Sequence, residues 1–505
     1  MRIAFRTDAT NQIGTGHSMR CLTMADEFKK QGAQIRFISR NLPVHLSELI
    51  ITKGFEYVSL STEASEEPID ELAHANWLGT SQSEDAQATI QAVADQSWDW
   101  IVVDHYALDV RWESVVRVSC KKLMVIDDLA DRQHDCDVLL DQNYYADMQT
   151  RYNGLVPEHC QLLLGPRYAL LREEFRILRE YVKPRTGDVK RILVFFGGVD
   201  TGSYTSLAIQ ALAELNTALH VDIVIGVQHP KREQMEQACI LHGYACHVQT
   251  TRMADLMAKA DLAIGSGGTA IWERCAMGLP TLSLCMAENQ RKQIAHAAKV
   301  GLLYAPKSEQ NLVAVIRHHV NGLLENPALI WLISNAGMKV VDGKGSLRVA
   351  GTMGIRAIEI KRAGKDDSKN IFEWRNNPKI RDVSRNSVLI SWEEHQRWFD
   401  AVLADTNRVF VIGTSGNEMV GVVRFEIEND VAEVSIYLVP EGGFSGHGRN
   451  LLLSAEQWLK SNRSEIKMIN ASVLGKNEAS KNLFLNSNYH IDTICYQKII
   501  EIKND

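Results

Sequence analysis

Short apolar segments alternate with longer amphipathic segments through the first two thirds of the chain. Residues 18–32 have helical periodicity and close on Gly32, so they predict an amphipathic helix. Strands are predicted at 2–8 (RIAFRTD), 33–40 (AQIRFISR), 98–106 (WDWIVVDHY), 121–128 (KKLMVIDD) and 136–143 (CDVLLDQN). Short strands separated by helices are typical of βαβ units, which build a parallel sheet.

The strand pattern restarts after residues 182–190 (VKPRTGDVK), where Pro184 and Gly187 lie among charged residues as in a linker. A second series of strands is predicted at 191–198 (RILVFFGG), 221–226 (VDIVIG), 260–268 (ADLAIGSGG) and 278–286 (GLPTLSLCM). Two such domains facing each other across a cleft would place a ligand site between them.

The pattern changes again near residue 350. Residues 408–440 contain alternating strand segments joined by the short turns TSGNE and IENDV, which predict an antiparallel meander. We therefore predict an α/β protein with three domains. These are a Rossmann-like domain at 1–182, a second Rossmann-like domain that binds a nucleotide at 183–348, and a C-terminal α+β domain at 349–505.

Composition limits the classes of function. The 505 residues carry a net charge of −7 and are 45% hydrophobic, which fits a globular protein and gives no electrostatic reason to expect a nucleic-acid partner. No apolar run of about 18 residues occurs, so no transmembrane segment is expected. The nine cysteines are scattered without a CxxC, which favours a reducing, cytoplasmic location.

The loop after the first strand is the first candidate site. Gly14 and Gly16 allow backbone amides to approach a phosphate or sugar, and His17 follows at the start of the predicted helix. A neutral imidazole there can take a proton from water, with Asp8 and Arg6 near enough in sequence to orient it. A helix-capping role for His17 explains the pattern equally well.

The second domain carries two further glycine-rich loops. Gly198 and Asp200 follow one predicted strand, and Glu273 lies one turn into the helix that follows another. A diphosphate cradle is predicted at Ser266, Gly267, Gly268 and Thr269. Glu273 suits two ribose hydroxyls, and Asn289 and Gln290 suit a base or sugar. Plain βα turns would explain the glycines, but not these three polar side chains together.

With these motifs, residues 1–345 resemble the sugar-nucleotide hydrolases of pseudaminic acid biosynthesis, a nonulosonic acid pathway, which are related to the GT-B glycosyltransferases. The resemblance rests on DATNQIGTGHSMRCLTMA, FFGGVD and GSGGTAIWERCAMGLPTLSLCMAENQ. It implies a GT-B-like pair of Rossmann-type domains. It also implies removal of UDP from a UDP-diacetamido-trideoxy-altrose, with His17 activating the attacking water, Glu273 and its loop holding UDP, and no metal.

The third region resembles the GNAT acetyltransferases. Their acetyl-CoA loop reads Q/R-x-x-G-x-G/A, and here Gly446 and Gly448 match while Gly443 departs from the first position. The resemblance implies acetyl-CoA as co-substrate, held by Leu438, Val439, Gly446, Gly448, Arg449, Asn450, Asn477 and Phe484. Phe484 stands where many members carry an acidic tyrosine, so Tyr489 or water would have to replace it.

Glu433, on the strand before this loop, is either the base for an ammonium substrate or an ordinary outward-facing strand residue. The fusion implies acetylation of the 4-amino UDP-sugar that precedes the hydrolase substrate. Three alternatives stay open: a UDP-sugar glycosyltransferase with an acceptor, a non-catalytic sugar-nucleotide-binding protein, and a GNAT fold used for assembly.

Overall fold

The computed structural model describes all residues except 11, 62–69, 199, 201, 216, 308–310, 356–357, 385, 416–417, 441–446, 486, 494–505 and the side chain of Asn289. The described chain forms two compact units. The first contains residues 1–29 and 33–353, and the second contains residues 30–32 and 354–505. The first unit holds two parallel sheets and the second holds one mixed sheet, which confirms the α/β fold class.

The first sheet has seven parallel strands in the order β3-β2-β1-β4-β5-β6-β7. Its strands are β1 (Arg2–Thr7), β2 (Gln34–Ser39), β3 (Glu56–Ser59), β4 (Trp98–Asp104), β5 (Cys120–Ile126), β6 (Val138–Asp141) and β7 (Gln161–Leu164). Its helices are α1 (Gly16–Lys30), α2 (Val44–Thr52), α3 (Gln82–Ala92) and α4 (Val110–Val116), while α5 (Glu173–Arg179) follows β7 but packs into the core of the second sheet. The strand order reverses between β1 and β4, and such a reversal opens a crevice at the carboxyl ends of the two strands.

The second sheet has five parallel strands in the order β10-β9-β8-β11-β12. Its strands are β8 (Arg191–Phe195), β9 (His220–Ile225), β10 (Ala245–Val248), β11 (Leu262–Ser266) and β12 (Thr281–Leu284). Its helices are α6 (Tyr204–Ala213), α7 (Arg232–His242), α8 (Met253–Lys259), α9 (Ala270–Ala276), α10 (Glu288–Lys299), α11 (Leu312–Leu324) and α12 (Pro327–Val340). The order reverses between β8 and β11, so both predicted glycine-rich loops follow strands at the reversal point.

Helix α13 (Gly345–Thr352) returns from the second sheet to the elements of the first. A Cβ on Gly345 would lie 2.2 Å from the carbonyl oxygen of Ala169, so only glycine permits this approach. Nε1 of Trp100 donates to the carbonyl of Met353 at 3.0 Å. The two sheets are therefore tied within one unit, which extends to residue 353.

The second unit has five strands in the order β13-β14-β15-β16-β17. They are β13 (Glu359–Arg362), β14 (Arg408–Ser415), β15 (Glu418–Glu428), β16 (Val431–Leu438) and β17 (Met468–Ala471). The helices are α14 (Ser368–Asn376), α15 (Pro378–Arg381), α16 (Trp392–Ala404), α17 (Gly448–Asn462) and α18 (Glu478–Leu485). The meander β14–β16 is antiparallel as predicted, and β17 joins β16 in parallel.

Helix α17 packs close to this sheet because two strand positions are glycines. A Cβ on Gly413 would lie 2.2 Å from Leu451, and one on Gly421 would lie 2.5 Å from the same side chain. Within the described residues, no helix is long and apolar enough to cross a membrane. The same part of the chain contains no group of three or more His, Cys, Asp or Glu placed to hold a metal ion.

Candidate functional site

His17 and Asp104 meet at the reversal point of the first sheet. His17 lies in the first turn of α1, directly after β1, and Asp104 is the last residue of β4. Thr7 and Asp104 are register partners at the ends of these adjacent strands. Nδ1 of His17 lies 2.5 Å from Oδ1 of Asp104. The sequence predicted His17 but missed Asp104, whose signal was a carboxylate at the end of a buried strand.

Arg20 keeps Asp104 ionised. One turn along α1, it donates to both carboxylate oxygens of Asp104, at 2.6 and 2.7 Å. Burial opposes ionisation, but Arg20 and then His17 hold the pKa of Asp104 well below its usual range. An ionised carboxylate only accepts hydrogen bonds, so Nδ1 of His17 carries the hydrogen and Nε2 is left as the basic atom.

Asp8 and Arg6, which we expected to orient His17, bind to each other and to other buried groups instead. The fully buried guanidinium of Arg6 binds Asp8 at 2.7 Å and Asp85 at 2.7 Å. Asp8 also accepts from the backbone N–H of Arg40 at 2.7 Å and lies 3.3 Å from Nε2 of His105. These contacts join β1 to α3 and to the loops after β2 and β4. They therefore hold in place the elements that surround His17.

Aromatic rings stand beside His17. The ring of Tyr106 meets that of His17 edge-on, with 4.5 Å between centroids. Trp77 stacks on Tyr106 at 5.6 Å, and His74 lies 4.3 Å from Trp77. Gly14 has a φ of +77°, and a Cβ on Gly14 or Gly16 would meet no atom within 4 Å. The backbone of this loop thus has open space beside the rings of Tyr106, Trp77 and His74, which we call the aromatic wall.

The loop after β8 is shaped by Asp200. Its buried carboxylate accepts from the backbone N–H of Tyr204 at 3.0 Å and of Thr205 at 2.7 Å, which fastens the start of α6. This carboxylate is therefore a structural element of the loop rather than a free group facing a ligand. Gly198 has open space where a Cβ would be. Thr201 lies outside the described residues.

The loop after β11 brings several predicted residues together. Ser266 ends β11, Gly268 has a φ of +88°, and the exposed Thr269 directly precedes α9. A Cβ on Gly267 would lie 3.1 Å from Oε1 of Gln290, so the α10 side chain rests against this backbone. Asn289 lies in the first turn of the same helix, but its side chain is outside the described set.

Glu273 lies one turn along α9 and is partly exposed. Oε1 of Glu273 is 3.5 Å from the Arg172 guanidinium. Burial raises the pKa of Glu273, and Arg172 acts against that rise. Its neighbour Arg274 is buried and donates to the carbonyl of Ser266 at 2.5 Å, which holds the end of β11 in place. Arg274 was not among the predicted residues.

Asn143 connects the two sheets through one amide group. Its Oδ1 accepts from Nε1 of Trp272 at 3.0 Å and from Nε2 of Gln293 at 2.9 Å. Its Nδ2 donates to Asp128 at 3.1 Å, and Asp128 also binds Arg20 at 3.1 Å. A continuous hydrogen-bonded path thus runs from His17 to α9, the helix that carries Glu273.

In the second unit, α17 begins at Gly448, with Arg449 and Asn450 in its first turn. The side chain of the N-cap residue, His447, makes no capping hydrogen bond to this 15-residue helix, so the first amides of the helix can face an anion. Gly443 and Gly446 lie outside the described residues. Leu438 ends β16, and the backbone N–H of Val439 donates to Val420 at 2.9 Å.

Strands β16 and β17 part before β16 ends. Their parallel pairing runs from Val431 and Met468 to Val434 and Ala471, while β16 continues to Leu438. Glu433 lies within the paired part, exposed, in register with Asn470. Among the described residues, no strand pairs with this edge of β16 beyond Val434, so an extended ligand can bind there.

Three predicted residues near α18 have structural contacts. Asn477 caps α18, because its Oδ1 accepts from the N–H of Ser480 at 3.1 Å. Phe484 is buried in the core between sheet and helices, 5.0 Å from the Tyr489 ring. The Tyr489 hydroxyl donates to Glu456 at 2.7 Å, and burial with this carboxylate raises its pKa.

Comparisons with known proteins match different families to the two compact units of the chain. Residues 191–318 match the glycosyltransferase family 28 C-terminal domain, and residues 360–504 match the acetyltransferase (GNAT) domain. A UDP-2,4-diacetamido-2,4,6-trideoxy-beta-L-altropyranose hydrolase of Campylobacter jejuni is 27% identical over 305 residues, covering 60% of this chain and 97% of the relative. The chain thus joins a region homologous to that hydrolase to a GNAT domain.

The uncharacterized protein MJ1062 of Methanocaldococcus jannaschii is 22% identical over 509 residues, covering 96% of each chain. Among solved structures, Acinetobacter baumannii MurG aligns over 70% of this chain and 99% of its own, with 14% identity and a TM-score of 0.48. Vibrio cholerae spermidine N-acetyltransferase aligns over 26% of this chain and 80% of its own, with 18% identity and a TM-score of 0.24.

Proposed function

We propose that residues 1–353 hydrolyse UDP-2,4-diacetamido-2,4,6-trideoxy-β-L-altropyranose to UDP and free 2,4-diacetamido-2,4,6-trideoxy-L-altrose, a step of pseudaminic acid biosynthesis. The observation that carries this proposal is the His17–Asp104 pair at 2.5 Å, placed at the reversal point of the first sheet. The similarity to the Campylobacter jejuni hydrolase along nearly its whole length supports the choice of substrate.

In the proposed reaction, Nε2 of His17 takes a proton from water while the oxygen attacks the anomeric carbon. The bond from that carbon to the diphosphate oxygen breaks, and UDP leaves with the electron pair. Backbone amides at Gly267 and Gly268 stabilise the charge that develops on the diphosphate. Because UDP is a good leaving group, one base and an anion cradle suffice without the carboxylate pair of ordinary glycosidases.

The aromatic wall suits the sugar in this proposal. A trideoxy, diacetamido sugar presents a C6 methyl and two acetyl methyls, which are apolar groups. The rings of Tyr106 and Trp77 next to His17 offer an apolar surface on which such groups can be buried. This contact would orient the anomeric carbon toward the bound water.

We further propose that the GNAT unit acetylates the 4-amino group of UDP-4-amino-4,6-dideoxy-N-acetyl-β-L-altrosamine, the precursor of the hydrolase substrate. Acetyl-CoA would lie along the edge of β16 beyond Val434, with its diphosphate at the first amides of α17. Glu433 would take the ammonium proton, the amine would attack the thioester carbonyl, and the C–S bond would break while the nitrogen releases its second proton to solvent. Solvent would protonate the thiolate, because Phe484 has no proton to give.

The test is a mass-spectrometric assay of the full chain with the 4-amino UDP-sugar, with and without acetyl-CoA. We expect the diacetamido sugar and free UDP only when acetyl-CoA is present. In a second arm, supplied UDP-diacetamido sugar should be hydrolysed without acetyl-CoA, and His17→Ala should abolish this release. Full hydrolysis by His17→Ala would remove the proposed base.

A UDP-sugar glycosyltransferase is the second candidate, because residues 191–318 match a glycosyltransferase C-terminal domain. A transferase needs an acceptor, so its UDP release in water alone should be slow. Release of UDP that increases at least about tenfold on adding an acceptor sugar would favour this candidate over the hydrolase.

A further inference from the structure

Two polar side chains on one face of the third sheet have buried atoms that find no hydrogen-bond partner among the described residues. In the register of β15 and β16, Arg424 pairs with Ser435, and Tyr437 pairs with Val422. Arg424 and Tyr437 therefore lie on the same face as diagonal neighbours, roughly 7–8 Å apart at the backbone. The Nε of Arg424 and the hydroxyl of Tyr437 are buried and have no hydrogen-bond partner among the described residues.

Helix α14 adds a third such group to this face. Trp374 and Tyr437 pack against one apolar cluster, which includes Phe410 and Val422 of the same sheet face. Arg375 follows Trp374, and its Nη2 donates to the carbonyl of Asn386 at 2.6 Å. Its Nη1 is buried and has no partner in the described part of the chain.

Positive charge is in excess here. Arg424 and Arg381 repel the positive charge of Arg375, while Tyr437 acts in the opposite direction. Burial, with the two neighbouring arginines, lowers the pKa of Arg375. In the described part of the chain, the acidic group that pairs with this set is Glu426, whose Oε1 is 3.6 Å from Nε of Arg424, too long for a hydrogen bond. Buried donors of one sign without acceptors are costly for folding and favour a site that an anion completes.

We infer that Arg375, Arg424 and Tyr437 form a subsite for the diphosphate of a nucleotide-linked acceptor. Guanidinium groups bind phosphate oxygens through two parallel N–H donors, and the tyrosine hydroxyl adds a third donor. This inference rests on the proposed acetyltransferase function, whose base Glu433 occupies the same sheet face. Glu433 and Tyr437 are four residues apart on β16, about 13 Å along the strand.

That spacing fits an acceptor whose amine lies near Glu433 and whose diphosphate lies toward Tyr437. The diphosphate of CoA has the same chemistry, so acetyl-CoA is a second source of the anion. We assign the diphosphate of CoA to the start of α17. We assign the diphosphate of the acceptor to Arg375, Arg424 and Tyr437, which we call the arginine face. Measuring the KM of acetyl-CoA and the KM of the acceptor for each variant shows which of the two diphosphates these side chains bind.

The experiment compares the full chain with Arg375→Gln, Arg424→Gln and the control Arg397→Gln. Arg397 is exposed on α16, outside this face. With the 4-amino UDP-sugar as acceptor, we expect the KM of that acceptor to increase at least about tenfold in both site variants, while the KM of acetyl-CoA stays within about twofold. The nucleotide-free amino sugar should show no such difference between wild type and variants. An equal increase in the KM of acetyl-CoA, or an unchanged KM of the acceptor, would overturn the assignment.

A binding measurement keeps the inference testable if the wild type acetylates neither acceptor, which would disprove the proposed acetyltransferase function. Calorimetric titration of UDP into the wild type should give two sites per chain, one in each unit. The double variant Arg375→Gln/Arg424→Gln should retain one site and bind acetyl-CoA as the wild type does. A single UDP site in the wild type, or two in the double variant, would show that the arginine face does not bind the nucleotide.

Discussion

The position of one proton decides whether His17 can act as a base. Asp104 is fully buried, and Arg20 binds both of its oxygens, so the carboxylate has a fixed charge and a fixed direction. It receives the hydrogen of Nδ1 and stabilises the imidazolium that forms when Nε2 takes a proton. Chemistry at His17 thus depends on a residue that need not touch the substrate.

Asp104→Asn should separate this positioning role from binding. An asparagine amide can donate to Nδ1 and favour the wrong tautomer, so we expect kcat for UDP-sugar hydrolysis to drop by roughly 10²–10⁴. The KM should change little, because the residues of the diphosphate cradle are untouched. Steady-state UDP release measures both quantities.

Asp99→Asn is the matched control, since Asp99 lies at the other end of β4 and pairs with the exposed Lys121. Its kcat should stay within about twofold of wild type. Equal losses in the two variants would indicate damage to the strand rather than loss of a specific role for Asp104.

Local sequence patterns predicted some residues of the candidate site and missed others. His17, Gly268 and Gln290 were predicted from loop patterns; the structure places His17 and Gly268 just after strands at reversal points, and Gln290 on α10, against the backbone of Gly267. Asp8 was assigned by its closeness in sequence, yet its charge is used by Arg6 in the buried network. Asp104 is 87 residues from His17, and only the pairing of β1 with β4 makes them neighbours. Sequence distance does not predict that contact.

At the scale of one element, the turn from β11 to α9 depends on backbone conformation. Gly268 has a φ of +88°, where a side chain is strained, but its neighbours leave space for a Cβ. Gly268→Ala should therefore fold with a loss of about 1 kcal/mol, while its methyl group restricts access to the amides. We expect the KM for the UDP-sugar to increase about tenfold or more, as measured by UDP release.

Gly301→Ala supplies the control for this prediction. Gly301 has a φ of +74° and no atom within 4 Å of its Cβ position, and it lies outside the proposed cradle. A similar loss of stability with an unchanged KM is expected. If both variants bind the UDP-sugar as the wild type does, the turn after β11 is not the cradle.

His134 links α4 to the loop after β5 and makes stability depend on pH. Its Nδ1 lies 2.8 Å from Glu113, and its Nε2 lies 3.8 Å from Asp127. Burial acts to lower its pKa, but these two carboxylates raise the pKa of His134 to about 9. A folded-state pKa above the ordinary value of 6.5 adds stability that is complete below pH 6.5 and is lost as pH increases through 9.

Urea unfolding should therefore show a decrease of about 3 kcal/mol in the His134 contribution between about pH 6.5 and pH 9.5. His134→Gln cannot titrate, so its free energy of unfolding should depend less steeply on pH over this window. Parallel curves for the two proteins would contradict the assignment of the proton to His134.

At the scale of the whole molecule, architecture was more predictable than connections. The period of apolar residues predicted nine of the twelve described strands of the two parallel sheets and the antiparallel β14–β16, but it missed the short strands β3, β7 and β10. The return of α13 to the first sheet was not predicted, because Gly345 and its approach to Ala169 carry no local signal. The bridge through Asn143 was missed for the same reason, since its partners lie 129 and 150 residues away.

Each proposed activity uses residues of one unit, which gives a last prediction. With His17→Gln, the 4-amino UDP-sugar should be acetylated but not hydrolysed, so the UDP-diacetamido sugar accumulates, because the GNAT residues are unchanged. Gly448→Val should leave the 4-amino UDP-sugar unreacted but hydrolyse supplied UDP-diacetamido sugar at the wild-type rate, since only the start of α17 is altered. An equimolar mixture of the two variants should then produce free diacetamido sugar and UDP, as followed by mass spectrometry. If the mixture stays inactive although each variant retains its own step, both sites must act within one chain, and the sugar nucleotide does not pass through solution between them.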